Sequence, residues 1–309
     1  MKETKFRQRY FHLFQILLLL LLLAQLLPNR VQTDPQTAYL LGFAVLAWLM
    51  ALLCLSIIRE RRKQVLAADL FAVLFGFLLL WTLCGPKTGI LRETLFSSPG
   101  RVIQQLILDK AEIAGNIAAS LGIIVKGYLL GGCLAVLLGL FLGWNQRLGS
   151  TAGYVTKFLS SIPPIVYIPY GIALLPTFRS VSVMVIFLAT FWPVFASTMI
   201  GVMQVERRIL DTAKSLHVGK GTMLFSVILP AALPQIFIGC NQGLAVSFIL
   251  LTSAEMIGAQ NGMGYYVKQY SDFGDYTRTI AGLLVIGTVV TLISAGFNRL
   301  QNRLLRWKV

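Results

Sequence analysis

Glu255 and Lys126 are among the charged side chains that lie inside long apolar runs of this 309-residue chain. A charge at membrane depth is costly, so it marks a functional site by default. Glu255 could instead lie at the membrane interface or bond Ser253 or a nearby backbone group, and Lys126 could carry its amine outward along its aliphatic stem. Both side chains are candidates for a translocation path used by an anionic solute.

A second candidate for the path is a proline-rich stretch within an apolar run, Ser160-Ser161-Ile162-Pro163-Pro164, followed by Tyr167-Ile168-Pro169. Prolines remove backbone donors, and a membrane helix tolerates such an interruption only against protein or a water-filled cavity. Transporters expose backbone to their solute at interrupted helices. The candidate residues are therefore Ser161, Pro163, Pro164 and Tyr167, with a purely structural kink as the alternative.

Sequence motifs for catalysis or cofactor binding are absent. The chain has no GxxxxGK[ST] phosphate loop, no HExxH, and only two histidines, too few to suggest a Ser-His-Asp arrangement. Its four cysteines stand singly in apolar runs without metal-ligand spacing. We therefore expect no catalytic residue, metal or cofactor in this chain; if transport is active, ATP and its magnesium bind to a partner.

The composition indicates an all-α polytopic membrane protein. Hydrophobic residues make up 56% of the chain and charged residues 13%, against about 25% charged in soluble domains. The net charge of +15 would suggest nucleic-acid binding in a soluble protein. Here the basic residues lie in the loops, so the positive-inside rule accounts for them and no nucleic-acid partner is expected.

Eight apolar runs are near the length that crosses a bilayer, about 20 residues. The predicted spans are Phe14–Leu27, Thr37–Ile58, Leu66–Cys84, Ile117–Trp144, Tyr154–Leu175, Val181–Val202, Gln235–Ile257 and Thr279–Phe297. We interpret the first run as an uncleaved span rather than a signal peptide, because no small-residue cleavage site follows it. The Lys and Arg clusters at Lys2–Arg9, Arg59–Lys63, Arg207–Lys220 and Arg299–Lys308 place both termini in the cytoplasm.

The longest polar interruption in the second half is Glu206–Pro234, which this topology places in the cytoplasm. A helix from Glu206 to His217 would gather Ile209, Leu210, Ala213 and Leu216 on one side, and we expect this apolar side to dock into a groove on a partner. A second short helix, Thr222 to Ile228, is expected to stop at Leu229-Pro230. An ordinary cytoplasmic loop is the alternative.

The spacing of this stretch resembles the cytoplasmic "EAA" loop of permease subunits in binding-protein-dependent ABC importers. That pattern is Glu-Ala-Ala, three residues, Gly, nine residues, Ile, one residue, Leu-Pro. The aligned positions here are Asp211-Thr212-Ala213, His217, Val227 and Leu229-Pro230. Asp, Thr and His depart from the pattern. A left-handed turn would strain His217, so we expect Gly219 to take over the turn.

The run Leu229–Pro234 is similar to the nitrate/sulfonate/taurine branch, and Ala254–Tyr265 and Arg303–Trp307 also resemble the family.

The resemblance implies a permease subunit of a prokaryotic inner-membrane importer. Its partners would be a second permease copy in a homodimer, a cytoplasmic ABC ATPase, an extracytoplasmic substrate-binding protein and membrane lipid. The solute would be a small anion such as nitrate, a sulfonate or taurine; related permeases carry thiamine precursors. The residues that couple to the ATPase would be Glu206, Leu210, Asp211, Thr212, Ala213, Leu216, His217, Gly219, Leu229 and Pro230.

The resemblance covers about Leu66 to Val309. We expect an accessory hairpin over residues 1–64 and a type I permease domain over residues 65–309, with its core at about 115–300. Two functions from other classes stay open on the residues alone. A self-sufficient secondary transporter or channel would show charged relays deep in several spans and an inverted repeat. A membrane-embedded enzyme would need the catalytic groups that the sequence lacks.

Overall fold

The computed structural model describes residues 2–30, 35–58 and 60–306, with side chains from residue 13 onward. Arg59, Trp307 and Lys308, used above for the topology and the resemblance, lie outside the described residues, as do the side chains of the first basic cluster. The helices in chain order are α1 Lys2–Leu26, α2 Thr37–Ile57, α3 Arg61–Thr82, α4 Pro99–Leu108, α5 Lys110–Trp144, α6 Gln146–Ser160, α7 Ile168–Leu174, α8 Phe178–Met203, α9 Arg207–Ser215, α10 Lys220–Thr222, α11 Leu229–Gly258, α12 Met263–Asp272 and α13 Tyr276–Leu304.

The predicted all-helical architecture is confirmed, and about eight spans is roughly consistent with the helices observed. Over the described residues, six helices are long and apolar enough to cross a membrane: Thr37–Ile57, Arg61–Lys87, Lys110–Trp144, Phe178–Met203, Lys220–Gly258 and Tyr276–Leu304. Two shorter apolar helices, Leu13–Leu26 and Pro164–Leu174, correspond to the first and fifth predicted spans. The chain is therefore an all-helical, multi-pass membrane protein with about eight membrane segments.

Helix contacts divide the chain into two compact units. The first comprises Met1–Ala111 with Gln269–Ala281, and the second comprises Glu112–Lys268 with Gly282–Val309. The expected division between an accessory hairpin and a permease domain at residues 64 and 65 stays a prediction. In the structure, α3 packs on α1 and lies with the first two helices in the first unit.

In the first unit, α1 packs against α3, and α2 packs against α3 and α4. Leu40, Ala44, Ala47 and Ala51 recur at three- and four-residue spacing and are buried on one face of α2. Phe14 and Leu21 of α1 and Phe75 of α3 complete this core. Small residues on α2 let these helices approach closely, as in membrane bundles generally.

Lys87 and Arg278 are charged residues held within the first unit. The Lys87 amine, 6% exposed, donates to the carbonyl oxygens of Gln25 at 3.1 Å and Leu27 at 2.6 Å, which are free at the end of α1. The Arg278 guanidinium lies 2.8 Å from Asp109 Oδ2 and 3.2 Å from Asp275 Oδ2. Both residues lie outside the predicted spans, and in the structure each bonds other residues of the first unit.

The second unit is built around α8 and α11, which form the most extensive helix pair. Their buried faces are joined by a 2.9 Å hydrogen bond between the hydroxyls of Thr190 and Ser247. Tyr128 of α5 donates to the carbonyl oxygen of Cys240 at 2.8 Å. Buried hydroxyl bonds of this kind hold helices together where water is excluded.

Close packing between α5 and α8 depends on small residues at four-residue spacing. Gly127, Gly131, Gly139 and Gly143 occupy one face of α5 together with the buried Ala135. A Cβ added at Gly131 would lie 2.6 Å from the Phe187 carbonyl oxygen, and one at Gly127 would lie 2.6 Å from Ile186. The glycine-rich composition of the fourth predicted span is therefore explained by direct backbone contact with α8.

Candidate functional site

The loop helix α9 ends in a complete Schellman motif. The His217 N–H donates to the Lys214 carbonyl oxygen at 2.9 Å, and the Val218 N–H donates to the Ala213 carbonyl oxygen at 3.2 Å. These two bonds satisfy carbonyls that the end of the helix leaves free, and they require a left-handed residue between them. His217 supplies it, with φ of 53°.

The expectation that Gly219 takes over the turn is therefore wrong. Gly219 has φ of −62° and ψ of 154°, an extended conformation that any residue adopts. The position of the turn is fixed by where α9 ends, and the residue that follows the cap must be left-handed whatever its type. Histidine is among the non-glycine residues that are enriched in this conformation. The departure from the family pattern at position 217 thus preserves the geometry of the loop.

The inward face of α9 packs on the chain itself. Ala213 is 6% exposed, and the partly buried Leu210 joins it. Both belong to a cluster whose buried members are Leu140, Val202, Ala213, Met223, Leu224, Ile228, Ala232 and Ile236. The docking of Leu210 and Ala213 on a partner stays a prediction; within this chain, the segment after α9 packs against both residues.

The outward face of α9 carries two large apolar side chains. Ile209 is 43% exposed and Leu216 is 72% exposed, and the exposed Thr212 lies between them at helical spacing. Glu206 and Asp211 are also exposed. Asp211 lies 3.4 Å from Lys214, with both side chains 69% exposed, so their ion pair contributes little to stability. This face is free for a partner as far as the described residues show.

Beyond α9, the chain enters the membrane as one helix. The turn α10 leads into a π-helical segment, Met223–Ile228, and then into α11 at Leu229 without a break. The predicted stop at Leu229-Pro230 is therefore wrong, and the seventh span begins earlier than Gln235. Pro230 lies inside this continuous helix, at the junction where the π-helical segment passes into α11, and its fixed φ suits a helix. Leu229 packs at the edge of the cluster under α9.

The proline stretch interrupts its span, as predicted. The helix α6 ends at Ser160, Pro163 is extended with ψ of 128°, and a 3-10 turn, Pro164–Tyr167, leads into α7. Ser161 and Pro163 are exposed, and the Ser161 hydroxyl bonds the Lys157 carbonyl oxygen at 2.7 Å. Pro169 lies in the first turn of α7 and is tolerated there. The result is a break in the regular helix between α6 and α7.

Glu255 is buried within a polar network. Its side chain is 1% exposed; Oε1 accepts from the Ser120 hydroxyl at 2.6 Å, and Oε2 accepts from the Gly264 N–H at 2.8 Å. The Met263 N–H donates to Ser120 at 2.8 Å, and the Gly262 N–H donates to Asn116 Oδ1 at 2.9 Å. The network ties α5, the end of α11 and the start of α12 together.

Glu255 and Lys126 are the two charged residues that the sequence suggested for the translocation path, and the structure places them differently. Both carboxylate oxygens of Glu255 are engaged within the chain, while Lys126 lies on an exposed face of α5. Their role in a translocation path stays a prediction. Sequence reasoning gave no role to Ser120 or Asn116.

About eight apolar helices, one of them interrupted at prolines, define a polytopic membrane protein. Residues 135–308 match the family described as "Binding-protein-dependent transport system inner membrane component". This match spans more than half of the chain, and the chain belongs to that family. It is a multi-pass permease of the inner membrane, of the nitrate/sulfonate/taurine branch of ABC importers.

Three relatives illustrate the similarity. A probable ABC transporter permease protein of Brucella abortus is 31% identical over 202 residues, covering 65% of this chain and 81% of its own. The taurine transport system permease protein TauC of Escherichia coli is 28% identical over 254 residues, covering 80% and 90%. The nitrate import permease protein NrtB of Leptolyngbya laminosa is 25% identical over 246 residues, covering 76% and 85%.

Proposed function

We propose that this permease moves a small anion into the cell, driven by a separate cytoplasmic ATPase that binds the loop between α8 and α11. One observation carries the proposal. The loop helix α9 has its inward face packed on this chain, while Ile209 and Leu216 remain exposed on the outward face. An exposed apolar stripe on a short, rigidly held helix suits docking into a groove of a partner.

The same loop packs on the start of a long apolar helix, so a displacement of α9 would move that helix. Ala213 and Leu210 pack against Met223, Leu224 and Ile228, at the start of the continuous helix Lys220–Gly258. A helix of 39 residues extends about 58 Å at 1.5 Å per residue. Motion of α9 would therefore be carried by one helix to the region of Glu255, which is fixed to α5 and α12.

The broken span supports a path shared with a second copy. The interrupted stretch around the exposed residues Ser161 and Pro163 would be stable at membrane depth only against protein or water. In this proposal, a second permease copy and an aqueous path cover it, an extracytoplasmic binding protein delivers the solute, and Mg-ATP binds in the ATPase alone. Taurine and nitrate, named for two relatives, make a small oxyanion-bearing solute the first to test.

Photo-crosslinking tests the docking face. A photoreactive residue at Leu216, 72% exposed, should give an adduct with an ATP-binding protein in intact cells. The matched position is Leu210, which is partly buried in the cluster and should give none. Cells that import the solute without an adduct at position 216 or 209 would contradict the proposal.

A further inference from the structure

A long apolar groove lies between α2 and α4, within the first unit. Its volume is about 480 Å³, which is in the range of sites that hold small organic ligands. We call it the α2–α4 groove. Its lining includes Tyr39, Gly42, Phe43, Leu46, Ile103 and Ile107.

The chemistry of the groove does not suit the transported anion. Every lining side chain is apolar except for the hydroxyl of Tyr39. A site for a small oxyanion would need charged groups or several convergent donors. The groove also lies outside residues 135–308, the part of the chain that matches the permease family. It is therefore distinct from the path and from the loop described above.

The position of the groove matches one leaflet of a bilayer. The helix α2 has 21 residues, about 31 Å, which is close to the roughly 30 Å of hydrocarbon in a membrane. The groove follows α2 from Ala38 to Leu46, a rise of about 12 Å from one end of the span toward its middle. Tyr39 is at the end of the span, where tyrosines are enriched at the interface with water.

The walls of the groove are suited to hydrocarbon. Leu46 of α2 is 57% exposed, and Ile107 near the end of α4 is 52% exposed. Such side chains are stable when they face hydrocarbon, and a concave apolar surface along a span must be filled by flexible chains of lipid or by protein. A chain that follows the helix axis through one leaflet has the length, direction and polarity of this groove.

We propose that the α2–α4 groove binds one acyl chain of a membrane phospholipid. The chain fills the space between α2 and α4 and so connects the short helix α4 to the span. Gly42 gives a direct test, because a Cβ added there has no other atom within 4 Å and would project where the groove has space. Gly287 of α13 has equally open surroundings and serves as the matched control.

The experiment uses the full chain, purified in detergent from a membrane of phosphatidylethanolamine and phosphatidylglycerol, with a photoreactive residue at Leu46. We expect a phospholipid adduct at position 46. Gly42→Phe should lower its yield by roughly tenfold or more, the factor predicted for displacing about two methylenes. Gly287→Phe should leave the yield unchanged. Gly42→Ala and Gly42→Leu should give graded losses, which keeps the test decisive if the Phe variant does not fold.

Three outcomes would overturn the proposal. One is a chain-to-chain adduct at position 46, which would assign the groove to a second copy. Another is an adduct yield that is the same in wild type and the whole Gly42 series, which would mean that lipid at position 46 is bulk lipid. The third is the absence of any phospholipid adduct from the purified chain.

Discussion

The hydroxyl of Ser120 donates a 2.6 Å hydrogen bond to Oε1 of Glu255, although 135 positions separate the two residues. Ser120 also accepts from the Met263 N–H, so its own proton is directed at the carboxylate. The second carboxylate oxygen accepts from the Gly264 N–H. The carboxylate on α11 thus holds α5 and the start of α12, with both of its oxygens occupied.

Because both oxygens act as acceptors, Glu255→Gln should point an amide donor at another donor. We expect the variant to lose about 1–3 kcal/mol of unfolding free energy, and Ser120→Ala to lose a similar amount, since each leaves a buried polar group unsatisfied. Thermal unfolding in detergent measures this. Ser253→Ala is the control, because that hydroxyl bonds only its own helix. Unchanged stability of Glu255→Gln with loss of transport would instead place Glu255 in the solute path.

The left-handed turn after α9 makes a second prediction. His217→Gly should stabilise the loop by up to about 1 kcal/mol, since glycine adopts a positive φ without the penalty of a Cβ. His217→Val should weaken it, because a β-branched residue is a true outlier at positive φ. Hydrogen exchange of the α9 amides reports both changes. Gly219→Ala should be nearly neutral, because Gly219 has φ of −62° and open surroundings; a strong effect there would contradict the assignment of the turn.

Two adjacent glycines of α5 test the close packing against α8. Gly131→Ala should cost about 1–3 kcal/mol, since the added Cβ would lie 2.6 Å from the backbone oxygen of Phe187. Gly132→Ala should be tolerated, because its Cβ would meet only the Thr190 methyl group at 3.9 Å. Both variants change the helix propensity equally, so the difference between their melting temperatures isolates packing. Equal effects would show that α5 does not pack as described.

The spans and the loop could be predicted from the sequence because apolar runs and loop spacing are local signals. The face of α9 that turns inward could not, since Ile209, Leu210, Ala213 and Leu216 form one apolar stripe. Only the later segment Met223–Ile228 decides that Leu210 and Ala213 are covered. In the same way, the partners of Glu255 come from α5 and from the start of α12, which no local pattern relates to it.

The topology makes a further prediction. Both termini should lie in the cytoplasm, because Lys and Arg cluster at each end of the chain. Reporter fusions at Lys5 and Lys308 measure this directly, with a fusion in the outside loop near Ile90 as the control. An external signal at either terminus would contradict the cytoplasmic placement of the α9 loop, which a cytoplasmic ATPase needs in order to bind it.

The central claim is that a separate ATPase drives this permease through the exposed face of α9. Ala213→Glu cannot test it cleanly, because the residue is buried in this chain and the charge would disrupt the loop itself. Leu216→Glu can, because the side chain is 72% exposed and the loop should fold normally. Arg30→Glu, an exposed charge change in a predicted outside turn, is the matched control.

The decisive measurement is ATP-driven uptake of radiolabelled taurine and nitrate by vesicles that contain the permease, its co-purified ATPase and the binding protein. Leu216→Glu should reduce uptake by roughly tenfold or more, as loss of a central apolar contact predicts, while the control keeps the wild-type rate. Wild-type uptake by Leu216→Glu would contradict docking through this face. Uptake by the permease alone, without ATP or an ATPase, would make the protein a self-sufficient transporter and contradict the account as a whole.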